Sequence, residues 1–263
     1  MLKVLEKAAY VGGDVAKSIL PTAVTLVSKD KEDFATTADL KAQEAIKAIL
    51  EANYPNLAVI AEEDNHTQDV SYDKFITIDP FDGTIIGSRG SSDWGVLISY
   101  IEHREIKYSV MYQPIKDNLV IAEKNKGTIL KNNNQQRELK LNNEYNGERL
   151  VVGFDINYAT TAKQLSKFML PLCEQGKMLV ARTSGSAISG AMDLLLGLTD
   201  IYINPCGGKI WDFAPTVCAV EAAGGVAMRI DSDTMAVEPY NTTKLFTGVI
   251  LARNKKVLES YLQ

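Results

Sequence analysis

Two aspartates that follow a short apolar run are spaced to bind a hard cation. The run Phe75–Ile78 leads directly into the segment Asp79-Pro80-Phe81-Asp82-Gly83-Thr84. An apolar strand that ends in acids puts charge at the carboxyl end of a buried strand, where α/β proteins form their sites. Two carboxylates at this spacing can bracket a hard cation. The alternative is an ordinary strand-to-turn junction, because Asp-Gly is common at turns.

Three further acids are candidates for the same site. Glu62 follows a second apolar run, residues 57–61. Asp39 falls in the first turn of one predicted helix, and Asp212 stands at the start of another. Each has a structural explanation of its own, since the helix dipole favours an acid near a helix N-terminus. Two neighbouring strands that both end in acids nevertheless indicate a hydrated acidic patch or a cation site.

The bulk composition limits the classes of function. The chain has 263 residues, 46% of them apolar, a formal net charge of -5 and no block rich in lysine or arginine. This charge argues against nucleic acid and anionic membranes as partners, but it is compatible with a small phosphorylated metabolite. The only histidines, His66 and His103, lie in polar surroundings and do not indicate a zinc site or a histidine base. Carboxylates would have to carry the chemistry.

The sequence also predicts a soluble, cytoplasmic protein. Charged residues interrupt the apolar residues of 1–20, unlike the continuous apolar core of a signal peptide. No apolar run approaches the length needed to span a membrane. The cysteines at 173, 206 and 218 are too scattered for a disulfide framework, so a reducing cytosol is the simplest compartment.

The pattern of apolar and turn residues predicts two unlike halves, 1–145 and 146–263, with a polar seam at 131–148. The first half should contain helices at 2–20 and 37–53, strands at 57–61 and 75–78, and antiparallel strands at 95–101, 106–113, 118–123 and 127–130. Residues 22–36 are predicted as a solvated loop or, alternatively, an active-site flap. The second half alternates strands at 149–153, 177–181, 200–203, 226–230 and 245–251 with helices at 158–175, 186–197, 211–223 and from 254. Such alternation indicates helices packed on a sheet.

Four motifs, taken together, resemble one known family. They are Thr37-Ala38-Asp39, Ala61-Glu62-Glu63, the segment from Asp79 to Thr84, and Trp211-Asp212 through Glu221-Ala222-Ala223-Gly224-Gly225. In this order and spacing they resemble the inositol monophosphatase family of magnesium-dependent, often lithium-sensitive phosphatases. The resemblance implies a mixed αβ fold, a five-layer αβαβα sandwich of the sugar-phosphatase type, and a homodimer. It also implies that the chain is a phosphoric monoester hydrolase that uses two or three Mg²⁺ ions.

The resemblance assigns roles to individual residues. The implied metal ligands are Glu62, Asp79, the carbonyl of Phe81, Asp82 and Asp212. Asp39 and Thr84 would orient and deprotonate the attacking water. A third, weaker ion would lie near Glu62, which the resemblance also implies to be a catalytic residue. The amides of Gly83 and Thr84 would hold the phosphate. Gly185, Ser186 and Ala187 would contact the ring or sugar of the substrate.

The chain departs from the family pattern in two places. The segment Ile85-Ile86-Gly87 replaces the usual Thr-Asn-Phe, and Asn204 to Lys209 lacks the acid that inositol-preferring members carry. Lys209 and Arg89 could meet a second phosphate, which leaves bisphosphate nucleotidase, NADP phosphatase and fructose bisphosphatase activities as alternatives to inositol monophosphatase activity. Haloacid-dehalogenase phosphatases are a weaker match, because they require Asp-x-Asp rather than Asp-x-x-Asp. A non-catalytic binding module is the most distant alternative.

Overall fold

The computed structural model describes residues 1–20, 27–28, 34–64, 66, 68–141, 148–155, 159–231 and 233–262. The helices within them are α1 (Leu2–Ile19), α2 (Thr37–Asn53), α3 (Thr84–Gly87), α4 (Ala159–Glu174), α5 (Ala187–Leu195), α6 (Ile210–Ala222) and α7 (Lys255–Leu262). The strands are β1 (Val27–Ser28), β2 (Phe34–Ala35), β3 (Ala58–Ala61), β4 (Lys74–Asp82), β5 (Gly95–Glu102), β6 (Glu105–Gln113), β7 (Asn118–Glu123), β8 (Gly127–Asn132), β9 (Gln135–Leu139), β10 (Leu150–Phe154), β11 (Met178–Arg182), β12 (Ile201–Lys209), β13 (Val226–Ile230), β14 (Val237–Pro239) and β15 (Phe246–Ala252).

The helices and two large sheets stack in five layers. The first sheet has the strand order β3-β4-β5-β6-β7-β8-β9, and the second has the order β11-β10-β12-β15-β13-β14. Helices α1 and α2 pack on the outer face of the first sheet, α5 and α6 lie between the sheets, and α4 and α7 cover the outer face of the second. This arrangement confirms the predicted mixed αβ fold and its αβαβα layering.

Helix α2 shows how the sequence pattern produces a layer. Its apolar residues recur on one face, and Ala42, Ile46 and Leu50 are buried against the first sheet and α1. Thr36 precedes the helix and accepts hydrogen bonds from the amides of Ala38 and Asp39, which satisfies two amides of the first turn. The predicted bounds, residues 37–53, are confirmed.

Strand β4 is longer than predicted, and the extension shapes the site. The sequence predicts a strand over 75–78 that stops before Asp79, whereas β4 runs from Lys74 to Asp82. Its pairing with β5 shifts between Asp79 and Asp82, after which Asp82 pairs with Gly95. Pro80 has no amide hydrogen to give to the ladder, so the strand bulges here instead of ending. Both aspartates therefore project from strand backbone.

Three other predictions about strands need correction. The polar stretch after residue 130 contains β9, an exposed edge strand that pairs with β8 through a turn in which Asn133 and Asn134 have positive φ. Its polar sequence has no alternating pattern because most of its side chains face solvent. Strand β12 extends past the predicted residue 203 to Lys209, because pairing with β15 resumes after an irregularity at 204–208. The short strand β14 was also missed.

The proposed division at about residue 145 stays a prediction. The first sheet is built from residues 58–139 and the second from residues 150–252, but α6 packs on strands of both. Residues 142–147 of the predicted seam and most of the predicted loop 22–36 lie outside the described residues, apart from the paired strands β1 and β2. Among the described residues, no helix has the length and apolar character needed to cross a membrane.

Candidate active site

Three aspartates from the two halves of the chain meet in one cluster, in which Asp79 and Asp82 are buried and Asp212 is partly exposed. Asp79 and Asp82 come from the end of β4, and Asp212 comes from the first turn of α6. One carboxylate oxygen from each lies within 4.8 Å of the others. Asp79 and Asp82 are 1% and 9% exposed, so water screens their charges poorly. An all-oxygen set of this kind is the donor chemistry that Mg²⁺ prefers.

The electrostatics of the cluster also fit a cation. Burial raises the pKa of Asp79 and of Asp82 well above the usual range, and the charge of Asp212 raises both further. Burial raises the pKa of Asp212 to about 6, with a further contribution from the charge of Glu62. Like charges this close cannot all ionise without compensation. A divalent cation would supply the missing positive charge, so the residues fit the metal that the sequence motifs imply.

Backbone amides orient the cluster. Asp79 Oδ1 accepts a hydrogen bond from the Phe81 amide at 2.8 Å across the β4 bulge. The carboxylate of Asp82 accepts from the amides of Ala187 and Ile188, at 3.2 and 2.5 Å, in the first turn of α5. Asp212 accepts from the amide of Lys209 at 2.6 Å. The N-termini of α5 and α6 thus both face the cluster, where their dipoles favour negative charge.

Glu62 lies beside this cluster, outside the tight group of three. It follows β3, which runs parallel to β4 with Ala61 paired to Ile78, so the two acid-bearing strand ends adjoin. Its charge raises the pKa of Asp79 and of Asp212, and also that of Asp39. The sequence prediction that strands 57–61 and 75–78 bring their acids together agrees with this placement. Glu62 as a metal ligand stays a prediction.

Asp39 and Thr84 form a second polar unit next to the acids. Asp39 is fully buried, and its Oδ2 accepts hydrogen bonds from the amide of Thr36, at 2.9 Å, and from the Thr36 hydroxyl. Its Oδ1 faces the Thr84 hydroxyl at 2.9 Å, and the same hydroxyl lies 3.1 Å from the carbonyl oxygen of Phe81. Burial raises the pKa of Asp39 to about 6, against the lowering effect of these hydrogen bonds.

Gly83 is required by the shape of the turn between β4 and α3. Its φ is +92°, a left-handed conformation that favours glycine. A Cβ there would approach Ser186 Cβ at 3.0 Å and the carbonyl oxygen of Asp93 at 3.1 Å. The turn that would hold a phosphate is therefore in close contact with the segment before α5.

The segment before α5 carries the predicted substrate contacts, and several of its polar hydrogens donate to protein acceptors. The amide of Gly185 donates to Asp155 at 2.7 Å, and the amide of Ala187 donates to Asp82. Ser186 caps α5 through the Ser189 amide, and its hydroxyl donates to the Asp93 carbonyl at 2.6 Å. Substrate contacts by Gly185, Ser186 and Ala187 stay a prediction.

Lys209 lies at the edge of the acid cluster. Its Nζ is 5.1 Å from the centroid of the Trp211 ring and 6.0 Å from that of Phe246, which is 48% exposed. Its charge lowers the pKa of Asp212. The ammonium group is thus held over aromatic faces beside a candidate metal ligand, and its contact with a substrate stays a prediction.

Sequence reasoning missed several residues that shape the site. Asp155 directly follows β10 and is fully buried. An acid directly after an apolar strand is the same sequence signal that predicted Glu62 and Asp79, so this signal could have identified Asp155. Tyr202 donates to Asp155 Oδ2 at 2.6 Å from the middle of an apolar run. Thr36 and the amides that bind Asp82 gave no chemical signal, because their partners are set by folding.

Comparison with known proteins places the chain in a family. The sequence model of the inositol monophosphatase family matches residues 1–263. The chain belongs to the inositol monophosphatase family. The resemblance read from the four motifs is confirmed.

Individual relatives agree with this assignment. The chain is 27% identical over 267 residues to Nus factor SuhB of Escherichia coli K12, covering 100% of this chain and 94% of the relative. The crystal structure of the suhB protein of Bartonella henselae superposes with a TM-score of 0.81 at 20% identity, over 99% of this chain and 96% of that one. An IMPase/NADP phosphatase crystallised with Mg²⁺ and phosphate gives a TM-score of 0.75 at 18% identity, over 95% and 89% of the two chains. These structures share the fold.

Proposed function

We propose that this protein is a Mg²⁺-dependent phosphomonoesterase that hydrolyses a small sugar, inositol or nucleotide phosphate. The observation that carries the proposal is the cluster of Asp79, Asp82 and Asp212, whose carboxylate oxygens lie within 4.8 Å of one another beside Glu62. Family membership and the Mg²⁺ and phosphate bound by one structural neighbour support it. The names of the curated relatives state a factor rather than an enzyme, so the activity itself must be measured.

In this proposal Glu62, Asp79, the Phe81 carbonyl, Asp82 and Asp212 hold two or three Mg²⁺ ions. When bound, such ions activate a water molecule and stabilise the charge of the leaving oxygen. The protein then has to hold the phosphate in line with the water, because phosphoryl transfer depends on positioning and charge neutralisation more than on a strong nucleophile. The Gly83 and Thr84 amides, at the turn after β4, hold the phosphate.

Thr84 relays the proton of the water to Asp39: Thr84 Oγ takes the proton from the water as the Thr84 hydroxyl proton passes to Asp39 Oδ1. The Thr84 hydroxyl can donate to Asp39 Oδ1, 2.9 Å away, which leaves its own lone pairs free to accept from a water molecule. Asp39 is fixed by Thr36 through the capping box of α2, so its orientation does not depend on the substrate. A rigid acceptor of this kind is what general base catalysis needs.

The class of substrate follows from the loops around the site. The strand irregularity at 204–208 carries no acid where inositol-preferring members have one, and Lys209 follows it. This favours a substrate with a second phosphate, such as adenosine bisphosphate, NADP or fructose bisphosphate, as the alternative to inositol monophosphate. By family resemblance we also infer a cytoplasmic homodimer, which sedimentation analysis of the purified protein would test.

The test is a phosphate-release assay with Mg²⁺ over inositol monophosphate, adenosine bisphosphate, NADP and fructose bisphosphate. Each substrate is assayed with and without millimolar Li⁺, and with EDTA as the metal-free control. We expect Mg²⁺-dependent release that Li⁺ inhibits, with one substrate class clearly preferred. Tight binding of a phosphorylated ligand without release from any of the four would favour the non-catalytic binding module instead.

A further inference from the structure

Asp155 makes an unusual set of hydrogen bonds for an aspartate outside the metal cluster. It is fully buried at the carboxyl end of β10. Its Oδ1 lies 3.0 Å from the Thr183 hydroxyl, 3.3 Å from the Ser184 amide and 2.7 Å from the Gly185 amide. Three consecutive residues thus surround one carboxylate oxygen. Hydrogen bonds to an ionised acceptor are about twice as strong as neutral ones.

The other oxygen of Asp155 ties this arrangement to the second sheet. Oδ2 accepts from the Tyr202 hydroxyl at 2.6 Å. The Tyr202 ring is 1% exposed and packs so closely on α5 that a Cβ on Gly190 would come within 2.1 Å of it. Tyr202 therefore cannot move without displacing α5. Asp155 is held rigidly from one side and holds the segment 183–185 on the other.

The segment that Asp155 holds forms one wall of the candidate active site. We call residues 183–186 the site turn. Gly185 lies in it with φ at +77°, and a Cβ there would meet the Ile86 side chain at 3.0 Å. Ser186 is in close contact with Gly83, in the turn after β4 that would hold the phosphate. Directly after the site turn, the Ala187 and Ile188 amides bind Asp82. A shift of the site turn would therefore change the substrate cleft next to the metal ligands.

We propose that Asp155 is a positioning residue that fixes the site turn and thereby sets how tightly the enzyme holds the part of the substrate beyond the phosphate. This inference rests on the proposed phosphatase function. Asp155 does not bind the metal or the substrate itself, because its oxygens are occupied by four protein donors and its side chain is buried. Its removal should weaken substrate binding far more than it slows the chemical step.

The test compares three variants of the full-length protein. Asp155→Ala removes the acceptor, and Asp155→Asn keeps one acceptor oxygen for the site turn. Asp200→Asn is the matched control. Asp200 is also buried, accepts a hydrogen bond from the Val151 amide at 2.8 Å and pairs with Arg253. It differs from Asp155 in position, because it precedes β12 and lies at the end of the parallel β10–β12 pair that is opposite to Asp155. The kinetic probes are the best substrate of the phosphate-release assay and p-nitrophenyl phosphate, which has no sugar or inositol hydroxyls.

For Asp155→Ala we expect the KM of the best substrate to rise about tenfold or more, the scale of one lost hydrogen bond to a charged acceptor. Its kcat should stay within about threefold, and the KM of p-nitrophenyl phosphate should change less. Asp155→Asn should stay within about threefold of the wild-type KM, because the amide oxygen still accepts from the site turn. Asp200→Asn should lower the Tm without changing KM. An unchanged KM in Asp155→Ala, or equal KM values in the Ala and Asn variants, would overturn the proposal.

A second readout does not depend on activity. The amide of Gly185 should exchange with deuterium at least about tenfold faster in Asp155→Ala than in the wild type, and at the wild-type rate in Asp200→Asn. Should Asp155→Ala not fold, Thr183→Val removes one donor at an exposed position and should raise the KM by about threefold. If the wild type releases no phosphate, the proposed function fails, while the exchange rate still decides whether Asp155 fixes the site turn. Equal exchange of Gly185 in all variants would contradict that.

Discussion

Strand β4 carries two aspartates of the site and strand β10 leads into one, Asp155, and the surroundings of these aspartates are opposite in kind. Asp79 lies among other acids: burial raises its pKa, and the charges of Glu62, Asp82 and Asp212 raise it further. Asp155 is as deeply buried, but every hydrogen-bonding partner around it opposes the effect of burial. Its pKa is raised by burial and lowered by these hydrogen bonds, with a net value of about 6. One carboxylate lacks positive charge nearby, and the other is already satisfied by donors.

This difference separates two roles that the sequence cannot tell apart. A buried acid that is surrounded by donors can remain ionised without a cation and serve as a fixed point for the backbone. Buried acids that are surrounded by acids need a cation or protons. Asp82 belongs to both groups, since it accepts two amides of α5 and also faces Asp212. A substitution of Asp82 therefore tests most directly whether the acids around a buried carboxylate or the donors around it determine its role.

The largest effect should follow Asp82→Asn. We expect kcat to fall by about 10³-fold or more, because the loss of one metal ligand removes several kcal/mol of transition-state stabilisation. The amide oxygen of asparagine can still accept from α5, so the circular dichroism spectrum should be that of the wild type. The measurement is steady-state kinetics of Asp82→Asn and Asp155→Asn side by side, and Asp155→Asn should retain most of the activity. A fully active Asp82→Asn enzyme would mean that the acid cluster does not bind the catalytic metal.

A smaller effect should appear in stability. In the proposed function Mg²⁺ binds the folded acid cluster and not the unfolded chain, and millimolar Mg²⁺ should therefore raise the Tm by several degrees relative to EDTA. Asp155→Ala should show the same rise and Asp82→Asn a reduced one, in thermal melts followed by circular dichroism. A Tm that stays constant across the Mg²⁺ titration would contradict the fit between these acids and a cation.

The rise in Tm should also depend on pH. The folded pKa of Asp39 and of Asp212 is raised from 3.8 to about 6. For groups with a raised folded pKa, the ion-free protein is most stable below the unfolded value and loses that stability as the pH rises through the folded one. Mg²⁺ compensates for the same loss, so the difference in Tm between Mg²⁺ and EDTA should be largest above about pH 6 and shrink towards pH 4.

The smallest effect should follow Lys209→Met, beside Asp212. Its ammonium group lies over Trp211 and at the edge of the cluster, where one partly screened ion pair contributes about 1 kcal/mol or less. We expect the KM of a substrate with two phosphates to rise about threefold to fivefold, and that of inositol monophosphate to stay unchanged. Equal changes in KM for both substrates would mean that Lys209 acts only on the charge of the acid cluster and does not contact a second phosphate.

The sequence by itself determined most of the elements and the acids of the candidate metal site. Local patterns were sufficient for the bounds of α2, β7 and β13, because hydrophobic periodicity and turn residues act over a few positions. The motifs that contain Glu62, Asp79, Asp82 and Asp212 were enough for the family, since their residue types and order are visible without a structure.

Only the tertiary structure decided how these acids are held. Asp82 meets the α5 amides across more than a hundred residues of chain, and Asp155 meets the site turn across about thirty. The bulge that carries β4 past Pro80 and the pairing of the polar strand β9 likewise depend on neighbouring strands. A carboxylate has the same sequence signature whether acids or donors surround it. Its role depends on the long-range contacts that folding creates.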